Sequence, residues 1–272
     1  MINYKYGYDL HKREKIKVPE MGGIIPVLIS GVLLISKSLP LSFIMFISGI
    51  VGAYDDLYKL SPIKKLTVLF LIGLIVGYLL FGFDIVKLII IGLGVSISSN
   101  LTNMLAGFNG LEIGLGVISA IFLGILLFLS GDYEGLSIIL IFIGSYLGLL
   151  LFNKYPSKVF PGDVGTLPIG AFLFTVSFWK GLLLEYIIIM IPYIIDATLK
   201  YYSAGITKRE DHKPTTIGND GKLYVSGGYL SLPRIILLRY PMEEYKIVIL
   251  IWGISILCGI LSILVYFLFN SH

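Results

Sequence analysis

Residues 66–83 read LTVLFLIGLIVGYLLFGF, without a charge, and residues 85–101 follow as IVKLIIIGLGVSISSNL, with Lys87 the only ionised side chain. About 18 apolar residues, rising 1.5 Å each, are enough to cross a hydrocarbon layer roughly 30 Å thick. Working outward, comparable apolar runs occupy residues 23–35, 39–54, 113–129, 136–152, 164–179, 182–202 and 247–269, the first of them the shortest and weakest. The whole 272-residue chain is 56% apolar and only 14% charged, with a mean hydropathy of +0.90. One soluble core cannot bury that fraction, so the composition predicts a polytopic membrane protein. It excludes disorder, a collagen-like fibre and a disulfide scaffold, and the helix-length runs speak against a barrel of short alternating strands.

The expected fold is therefore all-α: one integral membrane domain over residues 1–272 with about nine transmembrane helices. Residues 1–22 are expected to form a polar arm with no secretory leader. Residues 203–246 form a polar loop, with a small β-hairpin around Asn219-Asp220-Gly221 before the last helix. Residues 232–238, apolar between Lys and Arg residues, read as an interfacial segment. Cys258 has no partner cysteine, so no intrachain disulfide is available.

The positive charges set the orientation. With the arm placed in the cytoplasm, eighteen of the 21 Lys and Arg residues fall on that side, and only Lys37, Lys87 and Lys180 on the other. This asymmetry predicts a cytoplasmic N-terminus and, after an odd number of spans, an external C-terminus. It also accounts for the net charge of +4 without any nucleic-acid partner.

Four connections on the predicted inner side carry the polar groups. Asp55-Asp56 directly follows an apolar run; adjacent carboxylates resist joint ionisation unless a cation or a base shares the site, although a solvated loop start would also place them there. Residues 100–112 hold Asn100, Asn103, Gly107, Asn109, Gly110 and Glu112 and no basic residue. Asparagine offers a carbonyl to a metal or an amide edge to a nucleobase, and glycine lets a ligand approach the backbone. A turn explains Gly107 and Asn109-Gly110, but not Asn100 and Asn103 one helical turn apart. Asp163, in Phe160-Pro161-Gly162-Asp163, suits an N-cap or an anion-binding helix start equally. His212-Lys213 suits phosphate, or is a solvated charge run. Asp196, near Lys200, is the main ionisable group inside a run and reads as structural or functional with equal force.

In order and spacing these motifs resemble the polyprenyl-phosphate N-acetylhexosamine-1-phosphate transferase superfamily, of the glycosyltransferase 4 type. Pro19-Glu20-Met21-Gly22-Gly23 resembles the loop before its second span, Asp55-Asp56 its acidic pair, Phe160-Pro161-Gly162-Asp163 its metal-aspartate loop and Asp211-His212-Lys213-Pro214 its basic-histidine loop. Residues 103–112, with Ala106 where the bacterial branch has aspartate, are most similar to the dolichyl-phosphate GlcNAc-1-phosphate transferase branch, as is Gly7-Tyr8-Asp9-Leu10. The resemblance implies transfer of GlcNAc-1-phosphate from UDP-GlcNAc to a polyprenyl (dolichyl) phosphate at the cytoplasmic face of the cell membrane, with release of UMP. This would be the first step of lipid-linked oligosaccharide assembly for N-glycosylation.

It further implies Mg2+, with Mn2+ as an alternative, on Asn103 and Asp163. Asp55 and Asp56 would deprotonate or position the acceptor phosphate, and Lys65 would neutralise its charge. Gly107, Asn109 and Phe160 would hold uracil, with Glu112 beside them in the substrate-binding set, and His212 and Lys213 would clamp the diphosphate. A homodimer is implied as well. Two departures stand out: the family usually has ten spans, so a first helix is expected to be missing here, and Asp211 takes a place where arginine is common. The rival expectations are another UDP-hexosamine with undecaprenyl phosphate, and a non-enzymatic membrane transporter.

Overall fold

The computed structural model describes residues 5–12, 16–205 and 215–270. Every apolar run is helical: α1 (Ile24–Ile35), α2 (Leu39–Tyr58), α3 (Pro62–Phe81), α4 (Ile85–Met104), α5 (Leu111–Leu129), α6 (Tyr133–Asn153), α7 (Asp163–Trp179), α8 (Leu183–Ile189), α9 (Ile191–Ala204) and, after the short α10 (Leu232–Arg239), α11 (Glu244–Asn270). Among the described residues six helices, α2 to α6 and α11, are long and apolar enough to cross a membrane. The chain is thus a multi-pass, all-α membrane protein, but the count of nine is not reproduced by length alone.

Two runs give helices that are too short, the 12 residues of α1 and the 17 of α7. The run at 182–202 breaks in two. Pro192 has no N–H to return to Ile188, so the hydrogen-bond ladder is interrupted where α8 ends at Ile189 and α9 begins at Ile191.

Helix α7 is the axis of the bundle. Every residue from Val164 to Ser177 is buried, and α2 and α4 pack along it while α3 pairs with α4 and α6 with α5. The outer helix α3 instead shows Leu71, Ile75, Tyr78 and Leu79 on its exposed side, which costs nothing against lipid tails. Close approach fixes the axial register: a Cβ on Gly52 of α2 would collide with the backbone of Asp163 at the start of α7. Glycine here lets two helix backbones touch at the level where the polar residues collect.

Polar segments fold onto the same end. The arm is more than a tail: β1 (Tyr6–Asp9) and β2 (Ile16–Pro19) pair antiparallel with Tyr6 opposite Pro19 and Asp9 opposite Ile16. The hairpin expected before the last helix is β3 (Thr216–Ile217) against β4 (Leu223–Tyr224). The segment read as interfacial is α10, capped by the Ser231 hydroxyl, which accepts the N–H of Arg234.

Candidate active site

Four helix ends converge: the C-termini of α2 and α4 and the N-termini of α3 and α7. The adjacent carboxylates of α2 have different tasks because successive helical residues point about 100° apart. Asp56, buried, turns to α7: its Oδ1 accepts the N–H of Asp163 (3.0 Å) and its Oδ2 the N–H of Val164 (3.1 Å). It caps a helix start with both carboxyl oxygens, a match for unpaired N–H groups at the positive end of the macrodipole. Gly162 permits this: it sits at φ +68, and a Cβ there would press on Asp56 Oδ2.

Asp55 turns to α3. Its Oδ2 lies 2.9 Å from Lys65 Nζ, and the same ammonium lies 2.9 Å from Oδ2 of Asp163. Its Oδ1 accepts the N–H of Leu60 (2.6 Å), which holds the α2–α3 turn. Asn103, at the end of α4, donates Nδ2 to Asp163 Oδ2 (2.9 Å) and accepts the Thr166 hydroxyl on Oδ1 (2.8 Å). Two carboxylates therefore flank one lysine cation, and a carboxamide joins the second of them. With Lys65 side chains 11% exposed and Asp163 14%, the group is shielded yet open to a polar ligand.

Hard oxygen donors of this kind fit Mg2+, which takes one or two carboxylates and keeps several waters. Asn103 can present its carbonyl by turning its amide over, and the Thr166 hydroxyl can then accept instead of donate. Thr166 escaped the sequence reading, although its position one helical turn after Asp163 on α7 would have placed it on the same face.

The loop 105–110 belongs to a second cluster. Gly107 is exposed at φ +108. Asn109 is not: it is buried, its N–H goes to Glu244 Oε1 (2.7 Å), and its Nδ2 goes to Asp9 Oδ2 (2.9 Å) and Glu244 Oε2 (3.4 Å). Both amide hydrogens are thus engaged by buried carboxylates that need donors, and neither reads a nucleobase in this arrangement. His11 stacks on Phe108 (4.9 Å between centroids), approaches Glu244 Oε1 at 3.4 Å and bonds the Thr215 hydroxyl at 2.6 Å.

Asp9, His11 and Glu244 could also ligate a metal, but Lys12 Nζ already stands 3.8 Å from Asp9 and 3.6 Å from Glu244, over the Tyr155 ring at 3.4 Å. That lysine supplies the positive charge a metal would bring. Glu112 is buried in the first turn of α5, with Oε2 lacking a hydrogen-bond partner among the described residues.

Phe160 connects the two clusters. Its N–H donates to Pro19 O (2.8 Å), its carbonyl accepts Gly22 N–H (2.9 Å), and its ring lies against Gly7 of the arm. Lys5 of the arm pairs with Glu20 (3.0 Å) and donates to the backbone carbonyl of Asp56. Nothing in the sequence pointed to Lys5, His11 or Glu244 as partners of these loops, because each contact spans a large part of the chain. His212 and Lys213 lie outside the described residues.

A groove of about 530 Å³ opens beside the helix ends, lined on α4 by Ile90, Gly94, Ile97 and Leu101 and on α9 by Ile194 and Tyr201. Its walls are almost wholly apolar. The Asn100 amide, one turn before Asn103, lies 3.4 Å from the hydroxyl of Tyr201, one of the groove's lining residues.

Residues 38–180 match the model of the family described as glycosyl transferase family 4. A Methanocaldococcus jannaschii protein described provisionally as a glycosyltransferase is 56% identical over 97% of this chain and 89% of its own length. A Saccharolobus solfataricus protein, named provisionally UDP-N-acetylglucosamine–dolichyl-phosphate N-acetylglucosaminephosphotransferase, is 29% identical over 95% of this chain and 87% of its own. A Streptococcus pneumoniae phospho-N-acetylmuramoyl-pentapeptide-transferase is 29% identical as well, over 96% and 90%.

Proposed function

The chain belongs to glycosyl transferase family 4, and from that premise we propose that it transfers GlcNAc-1-phosphate from UDP-GlcNAc to a polyprenyl (dolichyl) phosphate. An oxygen of the acceptor phosphate attacks the β-phosphorus, the bond to the bridging oxygen breaks, and UMP leaves with that oxygen. The observation that carries this reading is the cluster of two carboxylates, an amide and a lysine at the helix ends. The apolar groove between α4 and α9, whose lining is separate from the cluster, suits a lipid tail.

In this reading Lys65 draws the acceptor phosphate in and offsets its charge. Asp55, paired with Lys65, takes the acceptor's proton, while Asp56 positions by holding the start of α7. Asp163 and Asn103 would hold Mg2+, which when bound neutralises the diphosphate and the departing UMP. Gly107 and Phe160 border the nucleotide, with Glu112 behind the loop; Asn109 acts by shaping that loop rather than by touching uracil. The lysine and arginine distribution supports placing the arm and this site in the cytoplasm. The nine apolar runs then form nine spans, α1 and α7 as short ones and α8 with α9 as a single broken one, leaving the C-terminus outside.

The test is the purified protein with dolichyl phosphate, radiolabelled UDP-GlcNAc and Mg2+, with and without EDTA. Label should enter the organic phase with equimolar UMP, and EDTA should stop it. No metal-dependent transfer under these conditions, with UDP-GlcNAc unbound, would refute the reading. A second reading, undecaprenyl phosphate with a different UDP-hexosamine, is supported by the equal identity to the Streptococcus pneumoniae protein. A panel of donors and both lipids in the same assay separates the two.

A further inference from the structure

We propose that the ion pair of buried Asp196 and half-buried Lys200 is a positioning unit, which ties the last turn of α4 to the segment entering α10 and so sets how Asn103 meets Asp163. The importance of Asn103 rests on the functional reading above; the coupling itself does not.

Asp196 is wholly buried on α9. Its Oδ1 accepts the N–H of Leu232, the first residue of α10, at 2.8 Å, and its Oδ2 stands 2.8 Å from Lys200 Nζ one helical turn along. Lys200 in turn donates to the carbonyl of Met104, the residue next to Asn103. That carbonyl is among the last four of α4, which no helical N–H can satisfy, and it otherwise receives only the N–H of Ala106 (3.0 Å). A second tie runs in parallel, from the Asn100 amide to the Tyr201 hydroxyl. On the α10 side, Tyr229 lies over both Lys200 (5.8 Å) and the guanidinium of Arg234 (4.8 Å), and Arg234 donates to the carbonyl of Gly227.

A buried ion pair is a poor way to gain stability, since desolvation consumes most of the attraction and an apolar pair of similar volume serves as well. It is a good way to hold one register, because each charge accepts only directed partners. Here those partners are not helix faces. One is the N-terminus of a helix carried on a polar segment, and the other is a carbonyl at the rim of the candidate active site. Movement of the 215–232 segment is therefore felt at Asn103 through two side chains.

Full-length protein in detergent tests this with Lys200→Met and Lys200→Arg, measured by amide hydrogen exchange and by Mn2+ binding followed by electron paramagnetic resonance. Lys200→Met should speed exchange in residues 100–107 and weaken Mn2+ binding roughly tenfold, the size expected when coupling of this kind is removed, whereas Lys200→Arg should preserve both. In an Asn103→Ala background, Lys200→Met should weaken Mn2+ binding no further, because both changes act through one group. Unchanged exchange at 100–107, or an equal further loss in that background, would overturn the proposal. Should Lys200→Met fail to fold, Asp196→Asn keeps the volume and the acceptor for Leu232 and is judged by the same measurements. If the unaltered protein binds no Mn2+, the metal assignment in the functional reading fails, and exchange at 100–107 alone decides the coupling.

Discussion

The helix-end cluster and the arm cluster contain the same chemistry, two carboxylates with lysine and asparagine, yet they are built to opposite ends. Around Lys65, one ammonium serves both Asp55 and Asp163, with one amide hydrogen bond to Asp163 from Asn103. Around Asn109, the carboxylates of Asp9 and Glu244 meet a backbone N–H, both amide hydrogens, His11 and Lys12. The first group draws its residues from helix ends that meet at one level of the bundle; the second holds three distant segments in place. Residue types alone do not distinguish the two. The segments that the carboxylates join do.

The comparison is broken most directly at Asp163. Asp163→Asn removes a charge from the helix-end cluster and should lower Mg2+-dependent transfer by a factor on the order of 10³, as loss of a key electrostatic group in a shielded site does. Its melting temperature in detergent should stay within a few degrees of the parent; full activity in this variant would end the metal assignment.

Next in size is the contrast between neighbours. Asp55→Asn should cost roughly 10²-fold in kcat, the range of a lost general base, with little loss of stability. Asp56→Asn should instead lower stability by about 1 kcal/mol, the value of a helix cap, and reduce kcat less. Thermal unfolding and kinetics on both variants would reverse the assignment if Asp56 proved the more damaging to kcat and the less damaging to stability.

The smallest effect on chemistry belongs to the joint. Glu244→Gln weakens the hold on Asn109 and should destabilise the protein by about 1.5–3 kcal/mol, the range for hydrogen bonds to a charged group, while raising KM for the nucleotide sugar more than it changes kcat. A kcat loss with KM intact would show that the arm cluster takes part in the reaction after all.

How much of this was legible follows from the range of each interaction. The apolar runs gave the helices because hydropathy is a local property. The break near Pro192 is also written locally, but a proline inside a run of isoleucines is masked by the length of the run. The residues of the helix-end cluster stood out because carboxylates and asparagines at bilayer edges are costly. Their division of labour did not, since it depends on the 100° turn between Asp55 and Asp56 and on where α7 lands. The arm cluster was illegible: β1 and β2 are four residues each, too short for an alternating pattern, and Glu244 looks like any acid in a first helical turn until Asn109, 135 positions earlier, is placed against it.

That last separation bears on how the molecule is made. Asn109 leaves the ribosome well before Glu244, so the loop it anchors gains this brace only when the beginning of α11 is delivered. A chain cut off before Glu244 carries Asp55, Asp56 and Asp163 without the brace that shapes the loop beside them.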